Sequence, residues 1–182
     1  MPYLLIILAF SMFIIYDYNQ IMNNYKFIRP FFLIGLTFVI CATLFVMKES
    51  TTDFFINFWF SIILYILSIF AMVLLIYTLF FAIPFEEAYV KGSKQPLCTI
   101  GIYSLCRHPG VLFLSSFYIF MSLAMGSYDF IYLSILIISC NLVYVIIQDK
   151  FTFPKLFEDY SKYKKSTPFI LPNLKKREET QQ

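Results

Sequence analysis

Arg107, His108 and Pro109 stand in a row at the mouth of an apolar run, with Gly101 and Tyr103 just before them and Gln95, Leu97 and Cys98 further upstream. His108 is the only histidine in the chain. A guanidinium offers planar N–H donors to an anionic or zwitterionic group. An imidazole donates or accepts near neutral pH. Glycine permits a backbone turn that a side chain obstructs. Asp149 follows a later apolar run, and Tyr160 and Tyr163 come after it. Such a set suits the binding and orientation of a polar ligand. By residue type alone a plainer reading also stands: Arg107 is a cationic anchor reaching lipid phosphates, and His108 is a polar group tied to a helix end. Cys98, Cys106 and His108 do not make a structural zinc site, which usually takes four ligands, and no fourth is evident.

The elements that must position these residues are apolar helices. Hydrophobic residues make up 60% of the chain and charged residues 14%, well away from soluble domains at about 45–50% and about 25%. The apolar residues fall in runs approaching the ~20 residues that a helix needs to cross a bilayer. Five spans are predicted, over 2–16, 30–47, 54–83, 111–125 and 130–147, the first of them short. It lacks the basic start and the small-residue cleavage site of a signal peptide. Residues 126–129, GSYD, predict a tight turn and therefore an antiparallel helical hairpin. Pro154 opens a predicted amphipathic helix with Leu156, Phe157, Tyr160 and Tyr163 on one face, stopped by Pro168 and Pro172.

Charge sets the expected orientation. With five spans and the N-terminus outside, thirteen of the fourteen Lys and Arg residues fall on the cytoplasmic side and only Lys48 on the other. The net charge of +3 comes from the basic tail and points to anionic headgroups, not to nucleic acid. The expected organisation is N-terminal transmembrane helices over 1–83, a core over 84–172 and a polar tail over 173–182.

Two blocks, PLCTIGIYSLCRHPG (96–110) before the hairpin and KLFEDYSKYKKSTPFILP (155–172) after it, give the chain a family likeness. It resembles the isoprenylcysteine carboxyl methyltransferase family, to which phospholipid methyltransferases look related. Leu97, Gly101, Tyr103, Arg107, His108 and Pro109 match the first family block, and Tyr160, Tyr163, Pro168 and Pro172 the second. The resemblance implies an all-α, polytopic membrane methyltransferase that takes S-adenosylmethionine from the cytosol and a lipophilic or lipid acceptor from the bilayer. It implies cofactor contacts at Gln95, Leu97, Cys98, Gly101, Tyr103, His108, Pro109 and Asp149, with Arg107 and His108 in the catalytic role.

The family's Glu after the hairpin falls on Gln148 or Asp149, and Asp149 is chosen as the only carboxylate there. Val111 replaces a usual aromatic, and Val145 or Tyr144 replaces an Arg that orients an acceptor carboxylate in several isoprenylcysteine enzymes. Prenylcysteine is thereby a weaker candidate for the acceptor. Methyl transfer from a sulfonium needs orientation and exclusion of water more than acid–base chemistry. Two other readings are a membrane reductase of the sterol-reductase type and a non-catalytic family member. No GxxxG motif marks an association face in the spans, so the oligomeric state stays open.

Overall fold

In a computed structural model of the chain, residues 1–22, 25–80, 97 and 99–171 are described. Gln95, Cys98 and Pro172, and the end of the third predicted span, lie outside them. The described residues form helices α1 (Pro2–Met22), α2 (Phe31–Glu49), α3 (Phe58–Phe80), α4 (Pro109–Met125) and α5 (Tyr128–Ile147), then the short α6 (Phe153–Leu156) and α7 (Tyr160–Ser166).

Four segments are long and apolar enough to cross a membrane: Pro2–Met22, Lys26–Glu49, Phe58–Leu79 and Tyr128–Leu156. Leu4, Ile7 and Leu8 on α1 and Ile66, Ile69 and Phe70 on α3 are exposed, as lipid-facing side chains are. In hydrocarbon every backbone group must be satisfied within the segment, which is why these runs fold as helices. Their hydroxyls follow the same rule: Ser11, Thr37, Thr43 and Thr78 each donate to the carbonyl four residues back, at 2.7–2.8 Å.

The boundaries differ from the sequence expectation in ways with physical causes. Helix α1 continues past residue 16 because Asp17 and Asn19 are not solvated ends. Asp17 accepts from Gln148 of the segment after α5, and Asn19 exchanges two hydrogen bonds with the backbone of Tyr25. Helix α3 starts at Phe58 rather than at residue 54, because residues before it pack on the α4–α5 turn. There the backbone N–H groups of Asp53 and Phe54 donate to the Gly126 carbonyl, and the Tyr128 N–H donates to the Asp53 carboxylate. Gly126 has φ +62°, and a Cβ there would lie 2.6 Å from the Phe54 carbonyl oxygen, so glycine is required at this turn. Helix α4, with 17 residues, spans about 25 Å and is the shorter apolar helix.

The largest difference is the tail. Instead of one amphipathic helix from Pro154, α5 runs through a π-helical stretch, Gln148–Thr152, directly into α6. Phe157 is extended and Asp159 has φ +54°, which breaks the chain before α7. The break turns Tyr160 and Tyr163 inward, and both are buried rather than facing headgroups.

Helix α3 packs along α4, α4 along α5, α5 along α1 and α1 along α2. The core combines Ile6, Phe10 and Phe13 with Ala42, Tyr118 and Phe130. Polar clasps tie it: Ser61 to the Ala124 carbonyl at 2.8 Å, and the Thr43 and Tyr118 hydroxyls to each other at 2.8 Å. No packed seam joins α2 to α3 among the described residues.

Candidate functional site

Asp149 is a hub. Its carboxylate is buried and accepts from Arg107 Nε at 2.9 Å, Tyr160 OH at 2.6 Å, Lys164 Nζ at 2.6 Å and His108 Nε2 at 3.4 Å. The π-helical stretch places the carboxylate between the 107–108 step and α7. Arg107 Nη1 donates to the carbonyls of Lys164 and Thr167, both at 2.8 Å. The backbone joins in: Arg107 N–H donates to Pro168 O and His108 N–H to Phe169 O. Two cations, Arg107 and Lys164, face one carboxylate, which leaves one positive charge over.

His108 lies between Phe153, stacked at 5.6 Å, and the edge of Phe169 at 4.9 Å. Burial lowers its pKa from 6.5 to about 4, although the Asp149 hydrogen bond pulls the other way. At neutral pH the ring is uncharged. A carboxylate only accepts, so Nε2 carries the proton and Nδ1 is left as an acceptor. Burial, then the bond to Asp149, raises the Tyr160 phenol well above its ordinary range, so it stays a donor.

Beside the hub lies a cavity of about 400 Å³, within the ~300–1,000 Å³ of small-molecule sites. Arg107, His108, Gln148, Tyr103, Tyr160 and Tyr163 line one part of it. Apolar side chains of α1 to α5, among them Phe10, Leu36, Leu75, Leu114 and Val145, make up most of the remaining lining, together with Thr78 and Asn141.

The structure brings most of the expected residues together. Leu97, Tyr103, Arg107, His108 and Pro109 line the cavity. Pro109 opens α4 in its first turn. Tyr103 OH donates to the Thr78 carbonyl at 3.1 Å, and its own carbonyl accepts from Tyr163 OH at 2.5 Å. Gly101 has φ +61°, yet a Cβ there would meet nothing within 4 Å, so the turn reserves the position by conformation and not by crowding.

Asp149 is beside the cavity but does not line it; its neighbour Gln148 does. Gln148 Nε2 donates to Asp17 Oδ2 at 2.9 Å and to Tyr144 OH at 2.8 Å, which commits both its protons. Among the described residues nothing donates to its Oε1.

Sequence reasoning missed Asp17, Asn141 and Lys164. A carboxylate within reach of an apolar run was the available signal for Asp17, since such groups are rarely without a role. Lys164 was hidden among the tail lysines. Comparison with family models, with curated proteins and with solved structures found no match.

Proposed function

We propose that the protein is an integral membrane methyltransferase that uses S-adenosylmethionine from the cytosol and acts on a lipophilic acceptor. The observation that carries this reading is the cavity, lined by a few polar side chains and many apolar ones, beside a charged hub built from both sequence blocks. A polar donor and an oily acceptor need such a chamber.

The polar residues suit a zwitterionic amino-acid group. Arg107 Nη2 has no partner among the described residues and is available to a carboxylate. Gln148 Oε1 is available to an ammonium, in the position where the family resemblance allows either Gln148 or Asp149. Asp149, saturated by four donors, is a positioning residue that holds Arg107 and His108. Tyr103 and Tyr163 tie the 101–104 turn to α7, and His108 Nδ1 offers an acceptor. When bound, S-adenosylmethionine supplies a methyl on a sulfonium, transferred in line while the sulfur leaves neutral. The chain's own residues therefore have to orient two partners and keep water out. The unjoined edge between α2 and α3 is the route for the acceptor from lipid. In this reading α4 is a fifth span, and the N-terminus is outside and the C-terminus inside.

Calorimetry on the detergent-solubilised protein tests the donor. S-adenosylmethionine binds to wild type, and Gln148→Leu weakens it about tenfold, the value of one charge-assisted hydrogen bond. Absence of binding to wild type overturns the reading. Binding of a nicotinamide nucleotide instead makes the protein a reductase.

A further inference from the structure

Asn141 stands on the face of α5 that also presents Ile137 and Val145 to the chamber, with Gln148 of the π-helical stretch lining it further along. It lies seven residues before Gln148, about 10 Å along the helix. Its Oδ1 is buried without a partner, and Asn141 makes no hydrogen bond to any described residue. Buried polar groups in native proteins are nearly always paired, so an unpaired one requires a cause.

The other uncharged polar groups among the described residues of the wall have their protons committed. Thr78 donates to Leu74 O and Tyr103 to Thr78 O. Tyr160 donates to Asp149 and Tyr163 to Tyr103 O. Asn141 is the contrast. Its carboxamide keeps two donor protons and an oxygen for something that is not this chain. Among the described lining residues Arg107 alone carries a charge, with His108 neutral, and Arg107 is held at the hub by Asp149. A charged group at the level of Asn141 therefore meets no counter-ion, and burying it there is costly.

We infer that Asn141 is a recognition site for an uncharged hydrogen-bonding group, a hydroxyl or an amide, carried by the lipophile that fills the chamber. Such a group both gives and takes a hydrogen bond, as a carboxamide does. An ammonium only gives, and a carboxylate only takes. The binding claim rests on the chamber. Only the statement that the bound lipophile is the methyl acceptor rests on the proposed function.

The test uses the full chain in nanodiscs with tritiated dodecan-1-ol as the probe, against empty nanodiscs for partition into lipid. Saturable binding of one dodecanol per chain is expected. Dodecanamide competes, whereas dodecanoate, dodecylammonium and dodecane compete at least fivefold less well. Asn141→Leu lowers dodecanol affinity about fivefold to tenfold and leaves dodecane competition unchanged. Equal competition by dodecane overturns the inference, because the amide then takes no part. So does an Asn141→Leu protein that folds and binds dodecanol like wild type. If that variant does not fold, the order of competitors on wild type decides alone. These measurements need no methyl donor, so head-group-selective binding with no S-adenosylmethionine binding sinks the proposed function and leaves the site standing.

Discussion

His108 sits where burial decides its charge. Its pKa is about 4 in the folded protein against 6.5 when free. Between those values the unfolded chain binds a proton that the folded chain refuses, so stability falls as pH drops from 6.5 towards 4 and is level above about 7. Thermal unfolding in detergent is expected to show a lower midpoint at pH 5 than at pH 7.5, with the difference reduced in His108→Gln. An unchanged slope in that variant refutes the assignment. At this scale the sequence was legible where charge met an apolar background: Arg107 and His108 stand out because no other Asp, Glu, Lys, Arg or His lies between Lys94 and Asp129. Asn141 did not stand out, because one amide in an apolar run has no period or partner to mark it. The choice of Asp149 over Gln148 rested on charge alone. Only the chamber's lining separates the residue that faces it from the residue that braces it.

Among elements, the join between the end of α5 and α7 governs the site. One carboxylate holds the 107–108 step, Tyr160 and Lys164 at once. Asp149→Asn leaves two cations without their counter-ion. Breaking a buried pair in this way costs about 3–5 kcal/mol. The expected result is a lowered unfolding midpoint and protease cleavage between α6 and α7 that wild type resists. If cleavage and midpoint match wild type, the latch is not what holds the tail. The long helices were readable because lipid demands long apolar runs. The break at Phe157–Asp159 was not, since the tyrosines' helical spacing fits a headgroup helix equally well. What turns them inward is a pair of hydrogen bonds, from Tyr160 to Asp149 in the π-helical stretch and from Tyr163 to the Tyr103 carbonyl, which periodicity does not report.

For the whole molecule, the balance of Lys and Arg fixes the expected orientation, and the number of crossings must agree with it. Helix α4, at 17 residues, is the shorter apolar helix, and the proposed orientation requires it to cross so that the count is odd. A green fluorescent protein fused to the C-terminus is expected to fluoresce in cells, and alkaline phosphatase at the same place to stay inactive. The reverse pair of results puts the C-terminus on the wrong side for a site that takes a cytosolic cofactor.

The amide hydrogens of Arg107 and His108 are answered by the carbonyls of Pro168 and Phe169. A ribosome delivers those carbonyls some sixty residues after the groups that await them. The mouth of the chamber therefore cannot close until residue 169 has left the ribosome, and a message cut short before codon 168 yields helices with an unclosed mouth.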